Sequence, residues 1–206
     1  MPATQAKIIA VGGGSGSGKT TLVDRLRGIV GDDDLLVLQM DHYYRDLSGL
    51  SQSERDKKNF DHPDAIDCGM LVGHLETLVA GKNIDRPSYD FATHTRKPST
   101  TVVAPRPVIV LDGILALHYP DIRSQLDLSI FVDVDDDVRF IRRLRRDVSQ
   151  RGRTMDSVMS QYLASVKPMH DQYVAPQKQV ADIIVNWMDY NDGAVAMVAA
   201  LVKTWI

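Results

Sequence analysis

Lys7-Ile8-Ile9-Ala10-Val11 leads through Gly12 into Gly13-Gly14-Ser15-Gly16-Ser17-Gly18-Lys19-Thr20, and Thr21–Ile29 continues with amphipathic spacing. The middle stretch satisfies G-x-x-x-x-G-K-[ST] at every fixed position, between an apolar strand and a helix, where that pattern has meaning. Glycines let the backbone bend so that successive N–H groups face one set of anionic oxygens. The N-terminus of the following helix adds partial positive charge. Lys19 is spaced to reach β- and γ-phosphates, and the Thr20 hydroxyl to ligate Mg²⁺. At average glycine usage of about 7%, chance yields such a match in roughly one chain of this length in a hundred. A merely flexible turn is the bland alternative, and the flanking strand and helix argue against it. Gly13–Thr21 reads as a nucleoside-triphosphate site.

Outward from this loop, near-continuous Val/Ile/Leu runs recur at Leu35–Met40, Val108–Leu111, Leu128–Val132 and Ala181–Val185. Runs apolar on both faces suit a parallel sheet covered by helices on both sides. Leu71, Leu75 and Leu78 recur at helical spacing, as do Val138, Ile141, Leu144 and Val148. Val158, Tyr162, Val166, Met169 and Tyr173 extend the pattern, with Pro168 expected to kink or split that helix. Val195, Val198, Val202 and Trp205 suggest a closing helix. Between Gly81 and Arg106 the composition turns to Pro, Ser, Thr, Tyr and Phe, which reads as a hairpin-like insertion. The expected fold is α/β, a P-loop NTPase fold with a five-stranded parallel sheet. Its additions are a β-hairpin insertion over the substrate site at 82–107 and an arginine-rich lid at about 139–156, within a single domain spanning 1–206.

Composition narrows the function classes. The chain has 206 residues, a formal charge of −3 and one cysteine, Cys68. No global basicity points to nucleic acid. A lone cysteine excludes an intrachain disulfide or a multi-cysteine zinc site. The polar Met1–Lys7 stretch and the apolar run that stops at Gly12 are too short for a signal segment, and Ala194–Val202 is half of a membrane span. A soluble, cytoplasmic chain with no membrane partner is expected.

Ligands of open α/β sheets sit beyond the carboxyl ends of the strands. Asp41 and Asp112 fall there. Asp112 is placed to serve Mg²⁺, directly or through water, and Asp41 to accept a proton from an acceptor hydroxyl. Either could instead cap a turn. Asp135–Asp137 read as charges at a helix N-terminus. Residues 139–153 hold seven arginines and one acid, Asp147: a local +6 that leaves −9 on the rest of the chain. Arg139, Arg143 and Arg146 share a face apart from the apolar stripe, and Arg151-Gly152-Arg153 offers a pivot. Guanidinium groups suit a transferring phosphoryl group, whereas a solvated basic face is the alternative. Tyr43, Tyr44, Phe60 and Tyr89 supply aromatic faces for a planar ring. Asp61 suits vicinal ribose hydroxyls, with Tyr89 and His94 at the base edge. The six histidines show no zinc spacing.

Taken together, these segments resemble the uridine kinase family of the wider P-loop kinase group that includes phosphoribulokinase. The matching stretches are Gly13–Thr21, Asp41-His-Tyr-Tyr-Arg45, Asn59-Phe-Asp-His-Pro-Asp-Ala65, Tyr89-Asp-Phe91, His94-Thr-Arg96, Gly113-Ile-Leu115, Arg142–Asp147, Arg151-Gly-Arg153, Gln161-Tyr162 and Lys167-Pro-Met-His170. The resemblance implies phosphorylation of uridine and cytidine at the 5′-hydroxyl, with ATP or GTP as donor and Mg²⁺ as cofactor, in a pyrimidine salvage role. It implies Asp41, Lys19 and Arg146 in catalysis. On the acceptor and phosphate side it implies Tyr44, Asp61, Tyr89, Phe91, His94, Arg143, Arg146, Arg153 and Gln161, and for the metal Thr20 and Asp112. The family usually carries Glu where Asp112 stands. It also implies a homo-oligomer, commonly a tetramer. A kinase of another small alcohol such as ribulose 5-phosphate, or a P-loop ATPase or switch, remain the alternatives.

Overall fold

A computed structural model describes residues 5–206; the polar segment Met1–Thr4 lies outside the described residues. Five strands form one parallel sheet in the order β2-β5-β1-β6-β7. They are β1 (Lys7–Gly12), β2 (Leu35–Gln39), β5 (Val108–Asp112), β6 (Leu128–Asp133) and β7 (Ile183–Asn186). Each expected strand is present, with its ends shifted by two residues or fewer. β3 (Ile84–Asp90) and β4 (Thr95–Val103) form a separate antiparallel hairpin with an irregularity between Pro87 and Tyr89.

Alternation along β1 divides the core. Ile8 and Ala10 join Ile109, Leu111 and the Leu71, Leu75 and Leu78 face of α2 (Cys68–Val79). Ile9 and Val11 join Val108 and Val110, covered by Leu22, Val23 and Leu26 of α1 (Lys19–Val30) and by Val195, Val198 and Val202. Successive strand side chains point to opposite faces, so a strand apolar at every position needs cover on both. Each fully buried leucine contributes about 1.5–3 kcal/mol by leaving water. Asp67 caps α2 by accepting the Met70 N–H at 3.2 Å. α1 has no side-chain cap and opens from Gly18, so its first amides stay free for an outside acceptor.

The arginine segment departs from expectation. In α3 (Asp136–Arg151) the buried residues are Arg139, Arg143 and Asp147, while Ile141 is 46% and Val148 40% exposed. Val138 and Leu144 of the apolar stripe are half-buried, Val138 against the core, while Ile141 and Val148 face out and the arginine face turns in toward the glycine loop and a polar cleft. Around Pro168 the regular α-helix is interrupted, as expected, although the chain stays helical. From α4 (Met155–Gln161) the chain continues through a π-turn at Tyr162–Val166, a helical turn at Lys167–Met169 and a second π-turn at His170–Val174. Widened turns on either side absorb the missing proline N–H, and such turns concentrate at functional sites. The closing helix is α5 (Asp192–Val202), with Asn191 accepting the Ala194 N–H at 3.0 Å. Among the described residues, no helix is long and apolar enough to cross a membrane.

Candidate active site

The glycine loop is gripped from two sides. Gly18 stands at φ +92°, and a Cβ there would lie 2.6 Å from Cδ1 and Nε1 of the buried Trp187 ring. Gly16, at φ +81°, lies against the Arg139 carbonyl. Lys19 is 8% exposed, and its Nζ donates to the Gly14 carbonyl at 3.1 Å. Burial lowers the Lys19 pKa, while the carboxylates of Asp112 and Asp41 oppose that shift. A buried ammonium with one carbonyl partner is short of acceptors, which a phosphate would supply.

The two strand-end carboxylates meet on one rim. β2 pairs with β5 so that Gln39 lies beside Asp112, and a tight turn at Met40–Tyr43 carries Asp41 just beyond. Asp41 is open to the cleft, yet the crowding cleft walls push its carboxyl above the ordinary value of 3.8; Lys19 opposes this and the Asp112 charge adds to it. The Thr20 hydroxyl donates to Asp112 Oδ2 at 2.7 Å. Among the described residues no cluster of three or more His, Cys, Asp or Glu could hold a metal by itself. One hydroxyl beside one carboxylate is the donor set that suits Mg²⁺, which keeps several waters and takes phosphate oxygens.

Asp61 lies half-buried in the turn following Asn59, where Asn59 Oδ1 accepts the Asp61 N–H at 3.1 Å. Burial raises its carboxyl, and Arg143 and Arg146 hold it down. Rings surround it. Tyr44 meets Phe60 and Tyr89 at 5.3 Å each, and Phe60 stacks on His94 at 4.5 Å and 18°. His94 holds a left-handed φ of 55°, a conformation that costs about 1–3 kcal/mol and concentrates at ligand sites. Burial lowers the His94 pKa, which favours a neutral ring able both to donate and to accept. The Tyr89 hydroxyl is buried without a partner, the mark of a group waiting for a ligand or water. Phe91 touches Tyr89 edge-on at 5.4 Å and is 55% exposed, at the open edge of these rings.

The arginine helix comes to the same place. Arg143 Nη1 donates to Ser15 Oγ of the loop at 2.9 Å, and its Nη2 to Gln161 Oε1 at 2.9 Å. Arg153 donates to the same Gln161 oxygen at 2.5 Å. Arg146 pairs with Asp147 at 2.8 Å and is felt electrostatically by Lys19 and Asp61. The candidate residues thus lie along one cleft, with Phe91 at its exposed edge.

Sequence reading assigned no role to three contributors. Trp187 backs the loop with no local motif to mark it. Arg96 braces the hairpin, donating to the Tyr44 carbonyl at 2.8 Å and pairing with Asp67 at 3.1 Å. Asp147 is fully buried among arginines; its spacing four residues after Arg143 and four before Arg151 was the available signal. A cavity of about 690 Å³ opens at the other end of the sheet around Lys7, Ile8 and Asp127, and holds none of these groups.

A model of the phosphoribulokinase/uridine kinase family matches residues 8–194. The chain is 48% identical over 196 residues to the uridine kinase of Chloroflexus aurantiacus, covering 95% of this chain and 94% of that protein. It is 47% identical over 195 residues to the uridine kinase of Clostridium perfringens, with coverage of 95% and 94%. Similar solved structures include phosphoribulokinase from Rhodobacter spheroides (TM-score 0.65, 17% identity, 89% of this chain and 71% of that one). Another is D-glycerate 3-kinase from Cryptococcus neoformans var. grubii (TM-score 0.63, 18% identity, 88% and 86%). At these identities the structures establish a shared fold.

Proposed function

The chain belongs to the phosphoribulokinase/uridine kinase family, and from that premise we propose that it transfers the γ-phosphoryl group of ATP to the 5′-hydroxyl of uridine, and of cytidine, giving the nucleoside monophosphate and ADP. The observation that carries this reading is the placement of Asp41 on one rim with Lys19 and the Thr20–Asp112 pair, beside a ring-lined pocket that contains Asp61. A hydrolase needs no such pocket. A sugar-phosphate kinase needs cations where Tyr89 and His94 stand.

In this reading Asp61 binds ribose hydroxyls and the Phe60–His94 stack and Tyr89 hydroxyl orient the base. Asp41 accepts the 5′-hydroxyl proton as that oxygen bonds to the γ-phosphorus and the bond to the β,γ-bridging oxygen breaks. Burial and the charges of Asp41 and Asp61 push the Tyr44 pKa well above its ordinary value, so its phenol remains a donor beside these carboxylates. Lys19 neutralises β- and γ-oxygens, and Arg143, Arg146 and Arg153 face the charge developing on the transferring group. Thr20 and Asp112 would hold Mg²⁺, which shields phosphate charge when bound. The hairpin forms part of the acceptor pocket and the arginine segment acts as a lid. GTP replaces ATP as donor only if the donor's base site accepts guanine, so both donors belong in the assay. A homo-oligomer is supported by α5, where Met197 is 72% exposed, and a cytoplasmic location by the single free thiol of Cys68.

The test supplies ATP·Mg²⁺ or GTP·Mg²⁺ with uridine, cytidine, ribulose 5-phosphate or no acceptor, and follows nucleoside diphosphate and phosphorylated product. Equal ADP release without acceptor refutes the kinase reading, and product from ribulose 5-phosphate alone refutes the nucleoside.

A further inference from the structure

Asp147 is the one acid among seven arginines in residues 139–153, and it has no solvent exposure. Four guanidinium groups converge on it. Arg146 reaches Oδ1 through Nε at 2.9 Å and Nη2 at 2.8 Å, and Arg151 Nη1 lies 3.5 Å from the same oxygen. Arg143 Nε and Arg153 Nη1 stand 3.6 and 3.7 Å from Oδ2. Those outer distances are too long for hydrogen bonds, and both Arg143 Nε and Asp147 Oδ2 are buried without a partner. Five charged groups therefore sum to +3 around one carboxylate. Left alone, four guanidinium groups at this density repel one another and turn out to solvent.

The same arginines reach both halves of the site. Arg143 is bonded to Ser15 in the phosphate loop, Arg143 and Arg153 share Gln161, and Arg143 and Arg146 face Asp61. We propose that Asp147 is a positioning residue for phosphoryl transfer: it gathers Arg143, Arg146, Arg151 and Arg153 into one convergent set before nucleotide arrives, and itself touches no substrate. Its single charge holds the arginines together while leaving the surplus that a transferring phosphoryl group meets. This rests on the kinase reading above.

The experiment measures kcat, Kd for ATP by calorimetry and Tm for wild type, Asp147→Asn, Asp147→Glu, Arg146→Gln and the Asp147→Asn/Arg146→Gln double variant. Turnover uses uridine or, should uridine not react, whichever acceptor of the panel does; a silent uridine refutes the nucleoside reading and leaves the Asp147 comparison intact. Misplacing charge by about 1 Å costs roughly 100-fold, so kcat in Asp147→Asn falls about 100-fold while ATP affinity, held by the glycine loop and Lys19, changes less than about 3-fold. Asp147→Glu, with its charge kept, recovers about 10-fold of that loss. Because Asp147 acts through Arg146 among others, its removal costs less in the Arg146→Gln background than in wild type. Independent, multiplying losses, or a kcat within about 3-fold of wild type in Asp147→Asn, overturn the proposal. If Asp147→Asn does not fold, Asp147→Glu decides: a lowered kcat with unchanged Kd supports positioning, and full kcat overturns it.

Discussion

Gly18→Ala tests the grip on the phosphate loop. The residue stands at φ +92°, where a Cβ costs about 1–2 kcal/mol. That Cβ would also lie 2.6 Å from two atoms of Trp187, a ring 2% exposed and packed in the core under α1 and α5. Forcing such a neighbour aside costs about 1–3 kcal/mol. Stiffening the unfolded chain returns about 0.4–1 kcal/mol. The net loss is about 1–4.6 kcal/mol, centred near 3, which for a domain of this size lowers Tm by roughly 6–12 °C at the centre of that range. Circular dichroism melts at fixed protein concentration measure it. Trp187→Ala supplies the control: with the ring gone, Gly18→Ala keeps only its backbone cost, so the two changes are less than additive. A Gly18→Ala protein that melts within about 2 °C of wild type, or strict additivity, would refute the claim that Trp187 makes glycine obligatory there.

Asp41→Asn keeps shape and removes the base, so turnover drops about 10²–10⁴-fold with ATP binding retained; near-wild-type turnover removes Asp41 from the base role. Because the carboxylate is the active form and its pKa is raised above 3.8, kcat/KM for uridine falls as pH falls, with an acid limb above the usual aspartate range. The same limb persisting in the residual activity of Asp41→Asn would assign it to another group. Phe60→Ala removes the ring on which His94 stacks, worth about 0.5–1.5 kcal/mol, and raises KM for uridine several-fold more than kcat falls; an unchanged KM places the base elsewhere.

The strand–loop–helix stretch from Lys7 to Ile29 determined most of the fold and the nucleotide half of the site by itself. Its signals are local: apolar runs of strand length, glycines at a tight turn and a lysine at fixed spacing act over a few residues. Asp41 and Asp112 were legible for the same reason, since a carboxylate directly after an apolar strand lies on the sheet rim wherever the strand goes. The acceptor side was readable as residue types, but the assembly of Tyr44, Phe60, Tyr89 and His94 depends on the hairpin folding back onto a loop far away in sequence, with Arg96 bracing it. Tertiary structure alone decided the orientation of α3. Periodicity fixes the angle between an apolar and a charged face, and the rest of the fold decides which of them turns inward. Here the neighbours are the glycine loop, Gln161 and the acceptor cleft. The charged face therefore went in, Ile141 and Val148 were left outside, and Asp147 was enclosed by the arginines whose crowding it holds in place.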